Sequence, residues 1–205
     1  METAAIEARE LSRRYGRRWA LSNVTLRAER GEVVMIAGRN GSGKSTLLRV
    51  LSTAIRPDSG SAAVLGRDVV KEREYVRRAT ALLSHYSYLY EALSPRENLS
   101  LIGGDIDEAL GRVGLRERAD DPVSTFSAGM RKRLSFARVL MQKPELALLD
   151  EPYGALDPEG FALVDRVVEE LRARGATVVI ATHQLDRVSS YSDRVITLEA
   201  GRVVT

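Results

Sequence analysis

The 205-residue chain contains no cysteine, so neither a disulfide nor a thiolate metal centre can hold it together, and a reducing compartment suits it. No apolar run approaches the roughly 18 residues that a membrane-crossing helix needs. The opening stretch "METAAIEARELSRRYG" carries acids where a secretion signal would carry a basic head and an apolar core. Internal repeats, low-complexity linkers and coiled-coil heptads are missing as well. These absences predict a chain that is soluble by itself. Charge decides little: the net is +3, with both signs mixed along the sequence. A polyanion or a membrane surface would benefit from that balance without being demanded by it.

What is present is more informative. "GRNGSGKST" places Gly38, four residues, then Gly43, Lys44 and Ser45, which is the phosphate-binding loop template. Before it, "EVVMIAG" reads as a buried strand ending at Ala37. After it, Leu47, Leu48, Leu51 and Ile55 recur at helical spacing. Glycines let successive N–H groups converge on an anion, and the start of the helix adds its unsatisfied donors. Lys44 supplies a charge for the β- and γ-phosphates, and Ser45 a hydroxyl for Mg²⁺.

A second site candidate lies at "LALLDEP", where Asp150 and Glu151 end an apolar run. Opposite a phosphate loop, Asp150 can hold the Mg²⁺ shell and Glu151 can accept a proton from an attacking water. Taken alone, the pair reads equally as two solvated acids. "IATHQ" ends the next apolar run with His183, one of two histidines in the chain. A lone histidine after a strand is usually structural.

Alternating segments over 4–30 predict two antiparallel strands around Gly16, and 56–69 a turn and a short strand with another turn at Gly66. "TALLS" (80–84) reads as another buried strand. From about Ser94 to Gln142 the period is helical, with "SPRENLSLI" and "IDEALGRVGL" as capped starts. Leu163, Val164, Val167, Val168 and Leu171 form one apolar face of a helix ending at Gly175, and "DRVITLEAGRV" reads as a hairpin turning at Ala200-Gly201. The fold class is therefore α/β: a mostly parallel P-loop NTPase core, an N-terminal antiparallel β layer and an inserted helical subdomain.

"TFSAGMRKRLSFARVL" (125–140) gives a helix capped by Ser127, with Met130, Leu134, Ala137 and Leu140 on a buried face and Arg131, Lys132 and Arg133 outward. By itself it is an amphipathic helix with a basic side. In order with the motifs above, it resembles the signature of the ATP-binding cassette (ABC) ATPases, and the resemblance covers essentially the whole chain. It implies one domain over 1–205, with a core and β layer at about 1–86 and 143–205 and a helical subdomain at about 87–142.

The resemblance also implies roles. Tyr15 would stack on adenine, while Gly38, Asn40, Gly41, Ser42, Gly43, Lys44, Ser45 and Thr46 would hold the nucleotide. Lys44, Glu151 and His183 would serve catalysis, and Ser45 and Asp150 the metal. Ser127, Ala128, Gly129 and Met130, with Asp157 of "GALD", would reach the ATP of a second, head-to-tail copy. Two departures stand out. The signature reads "SAGM" in place of two glycines and a glutamine, and "LLSHYSYLYEALSPRENL" (82–99) lacks the glutamine of its region. His85 takes that place and would hold a metal-bound water. Tyr86, Tyr88 and Tyr90 read either as an alternating core strand or as the floor of a partner groove.

The implied ligands are ATP and Mg²⁺. The implied partners are a second copy of the chain, giving two composite sites, and separate transmembrane permease subunits. No nucleic acid is expected. The expected place is the cytoplasmic side of the inner membrane, held peripherally. Short similarities ("SHY…LYEAL…ENL", "SAG", "THQ") resemble the haem exporter subunit of cytochrome c maturation. A P-loop kinase, or a non-transport ABC ATPase regulating a membrane complex, is the alternative.

Overall fold

The alternating segments near the N-terminus pair as expected. β1 (Ile6–Tyr15) and β2 (Arg18–Ala28) run antiparallel around Gly16, in a computed structural model that describes residues 4–84 and 87–204. β3 (Val33–Ala37) leaves this layer for a second sheet and feeds α1 (Lys44–Leu51). β4 (Ser59–Val64) and β5 (Arg67–Asp68) return to the first, giving the order β2-β1-β4-β5. α2 (Arg73–Ala79) leads into β6 (Thr80–Leu83). Three helices follow: α3 (Pro95–Ser100), α4 (Ile106–Arg112) and α5 (Ala128–Gln142). The chain then runs through β7 (Leu146–Asp150), α6 (Pro158–Ala173), β8 (Thr177–Ala181), α7 (Leu185–Ser189), β9 (Arg194–Glu199) and β10 (Arg202–Val204).

The second sheet has the order β10-β9-β3-β8-β7-β6, and all its pairings but β10–β9 are parallel. Every residue of β3, β7 and β8 is buried, because both faces of this sheet are covered. Successive side chains go to opposite cores. Val33, Met35, Ala147, Leu149, Val178 and Ile180 pack with α5 and α6. Val34, Ile36, Leu146, Leu148, Val179 and Ala181 pack with α1 and the antiparallel sheet. One slip in register would exchange the two sets, so this alternation fixes the alignment of the strands.

Three differences from expectation have local causes. α1 stops at Leu51 and not at Ile55, since Thr53 takes a left-handed φ of 64°. α2 went unread: it buries only Val76 and Ala79, too few for a periodic signal. α7 is a five-residue helix, too short for one. The capped starts at Ser94 and Asp105 are present, Ser94 with a reciprocal capping box to Glu97. Ala200 and Gly201, both at positive φ (47° and 80°), make the tight turn between β9 and β10.

Parallel pairing sets the site. Ala181 is registered against both Ile36 and Asp150, so β3, β8 and β7 end side by side at one edge. Three loops leave that edge together, carrying the glycine-rich segment, Glu151 and His183.

Candidate functional site

The glycine-rich loop is shaped by backbone contacts that leave no room for side chains. Gly38 and Gly43 have φ of 145° and 110°, and a Cβ at Gly43 would lie 2.4 Å from the carbonyl oxygen of Ala20. α1 begins at Gly43 without a side-chain cap, so the amides of its first turn remain available to an anion. Lys44 is buried, and its ammonium donates to the carbonyls of Gly38 (2.7 Å) and Arg39 (3.3 Å). The Ser42 hydroxyl is buried with no protein partner.

Facing this loop, Ser45 Oγ donates to Asp150 Oδ1 at 2.9 Å. Burial pushes the Asp150 carboxyl above its usual pKa, and the Ser45 hydroxyl works against that shift. Glu151 sits at a φ of 46°, a strained conformation for a non-glycine residue, immediately after β7. Its Oε2 accepts from Thr182 Oγ1 (3.1 Å) and contacts His183 Nδ1 (3.0 Å). Its Oε1 is buried without a hydrogen bond, 3.9 Å from Lys44 Nζ. Two carboxylates, an ammonium, an imidazole and two hydroxyls thus meet at one strand edge.

Two clefts flank the loop. One, of about 470 Å³, is lined by Tyr15, Asn40, Gly41, Gly43, Lys44, Ser45, Thr46 and Glu151, together with Arg18 and Ala20. The other, of about 730 Å³, touches Gly38, Asn40, Gly41, Ser42 and His183. The Tyr15 ring is half exposed, with the Arg13 guanidinium 5.2 Å from its centre. Ser127, Ala128, Gly129, Met130 and Asp157 line neither cleft. Ser127 caps α5 by accepting from Met130 N, and Asp157 caps α6 while pairing with Arg133 at 3.1 Å. A Cβ at Gly129 would come within 3.0 Å of the Ala155 carbonyl oxygen, so these two segments pack together. His85 and Tyr86 lie outside the described residues. Tyr88 and Tyr90 are exposed and belong to no strand, which removes the core-strand reading for them.

The outward basic face of α5 needs correction. Lys132 turns inward and donates to the Asp150 carbonyl oxygen at 3.5 Å, while Arg133 spans to Asp157. Helical spacing located the helix but could not place long side chains that reach around it. Thr182 was missed too, although a hydroxyl beside a histidine at a strand end was a readable signal. Burial lowers the Lys132 pKa to about 8, against the pull of Asp150 and Glu151. The folded chain therefore gives up this proton more readily than the unfolded chain. The resulting cost is full below pH 8 and relieved as pH rises from about 8 toward the ordinary lysine value. In the nucleotide-free chain, Lys132→Met is expected to raise stability at pH 7 by about 1–2 kcal/mol. Urea unfolding should show that gap closing between about pH 8 and 10.

The family model described as ABC transporter matches residues 21–154. The daunorubicin resistance ATP-binding protein DrrA3 of Streptomyces coeruleorubidus is 40% identical over 100% of this chain and 68% of its own length. The bacitracin transport ATP-binding protein BcrA of Bacillus licheniformis is 32% identical, over 97% of this chain and 68% of its own length. The chain thus spans about two thirds of these relatives. Among solved structures, a dimeric post-hydrolysis state of an ATP-binding cassette bound to ADP and phosphate superposes with a TM-score of 0.88. It is 26% identical, covering 98% of this chain and 97% of that one.

Proposed function

From the premise that this chain belongs to the ABC transporter family, as an ATP-binding and ATP-hydrolysing subunit, we propose how its residues divide the work. The observation that carries the reading is the meeting of Lys44, Asp150, Glu151 and His183 at one strand edge. The phosphate-loop amides and Lys44 bind the β- and γ-phosphates, and Tyr15 takes the adenine. Glu151 receives the proton of the attacking water on Oε1, the oxygen without a hydrogen bond. His183 and Thr182 hold Oε2, which orients the carboxylate.

A divalent metal fits the donors present. Ser45 and Asp150 offer hard oxygens 2.9 Å apart. That suits Mg²⁺, which is held by few protein ligands and completed by phosphate and water. Held there, the ion would neutralise charge on the β- and γ-phosphates.

Ser127, Ala128, Gly129, Met130 and Asp157 serve the partner copy's nucleotide, in keeping with their distance from this chain's own clefts and with the dimeric cassette structure. The whole chain acts as one cassette, with the helices of about 87–142 as its subdomain. ABC ATPase subunits work with transmembrane permease partners, and no described helix is long and apolar enough to cross a membrane. We place the chain peripherally, on the cytoplasmic side of the membrane that holds those partners. The kinase alternative lapses with the family membership. For cargo, relatives named for daunorubicin resistance and bacitracin transport favour a drug-like or antibiotic compound. They lend nothing to the haem expectation.

Mixing two inactive variants tests the composite site. Lys44→Ala and Ser127→Arg should each abolish hydrolysis. Mixed in equal amounts, they should regain about a quarter of the parental rate, since half the dimers are mixed and each of those has one intact site. No recovery in the mixture would rule out sites shared between copies.

A further inference from the structure

Beyond the groups that face the nucleotide, a second polar cluster lies behind them. Tyr153 is 2% exposed, and a buried phenol must find partners for its hydroxyl. Its O–H donates to Asp165 Oδ1 at 2.6 Å, and the Tyr191 hydroxyl meets the same phenol oxygen. Since Tyr153 has one proton and Asp165 takes it, Tyr191 is the donor in the second bond. The other oxygen of Asp165 accepts from Arg187 at 2.8 Å. The Arg187 guanidinium lies 5.4 Å from the Tyr153 ring centre and 5.0 Å from that of Phe161, which meets Tyr153 edge to face. Burial raises the pKa of both phenols, so the two hydroxyls keep their protons.

The cluster joins three segments. Tyr153 is two residues beyond Glu151, in a turn closed by the bond from Gly154 N to the Glu151 carbonyl oxygen. Arg187 and Tyr191 follow His183, four and eight residues on. Asp165 and Phe161 stand on α6, the shared backing. The two site residues contact one another at 3.0 Å, yet the His183 side chain is exposed and Glu151 is backbone-strained.

We propose that Tyr153 is a positioning residue for hydrolysis: its hydroxyl, bonded to Asp165 and Tyr191, braces the Glu151 loop against the His183 segment and preserves their contact. The inference rests on the roles proposed above for Glu151 and His183.

Tyr153→Phe removes the hydroxyl and keeps the ring. In the full chain it should lower kcat about ten-fold, because a small displacement of a reacting group carries a large rate penalty. The Kd for a non-hydrolysable ATP analogue should stay within about two-fold, as most of that site is built from the phosphate loop. In the His183→Ala background the same change should cost nothing further, since the contact it protects is gone. Tyr191→Phe should show a smaller loss of the same pattern, and it carries the test should Tyr153→Phe fold poorly. An unchanged kcat overturns the proposal. So does an equal fold-loss in both backgrounds, which would mark a general packing defect. Glu151→Gln and His183→Ala measured alongside separate the two levels. If both retain parental rates, the assigned roles fail; if both lose activity while Tyr153→Phe does not, only the brace fails.

Discussion

Glu151→Gln is expected to lower kcat for ATP hydrolysis by about 10²–10⁴-fold, the range that general-base catalysis supplies. The amide keeps the size of the side chain and can still bond Thr182 and His183, so the fold and the cleft should persist. What is lost is the ability to take up a proton. ATP should still bind, and the bound γ-phosphate should persist between two copies. Phosphate release and sedimentation, measured on one preparation with ATP and Mg²⁺, check both halves of the expectation. A variant that hydrolyses at the parental rate removes Glu151 from the mechanism, whereas one that is slow but stays monomeric removes the sandwich.

Gly43→Ala is expected to weaken nucleotide binding by at least about 100-fold, close to 3 kcal/mol. The added methyl would meet the Ala20 carbonyl oxygen at 2.4 Å and Leu21 Cδ2 at 3.1 Å, with the backbone held at a φ of 110°. Ala20 belongs to β2, and its neighbours Trp19 and Leu21 are paired with Arg14 and Arg13 of β1, so its carbonyl cannot retreat cheaply. The start of α1 must therefore move, and its amides leave the phosphate position. Gly175→Ala is the control, because a Cβ there meets nothing within 4 Å at a φ of 79°. It should cost only the local strain, about 1 kcal/mol of stability, and leave affinity alone. Titration calorimetry with ATP distinguishes the two. Unaltered affinity in Gly43→Ala would mean that the loop is softer than its contacts indicate.

The contrast between what could and could not be read from sequence follows length scales. The core strands were legible because burial on both faces leaves four apolar residues in a row, as in "LALLD" and "TVVIA". The phosphate loop was legible because its chemistry is local, packed into nine consecutive residues. α2 was not, since a seven-residue helix with two buried positions carries almost no period. Long side chains were the harder case. Lys132 looked solvated, yet four methylenes carry its ammonium to the carbonyl of Asp150. Tyr153 gave no sign in sequence, as its partners Asp165 and Tyr191 lie 12 and 38 residues away. Cargo is not encoded in the hydrolytic residues at all. They act on the phosphate, which is common to every such substrate.

The protein shelters a positive charge among its own peptide oxygens, through the Lys44 bonds to Gly38 and Arg39. The curl of backbone that a triphosphate needs is thus maintained before any triphosphate arrives, and entry becomes a matter of docking instead of refolding. Amide exchange across residues 39–43 should accordingly slow once ATP is bound, as N–H groups left open to an anion gain a partner.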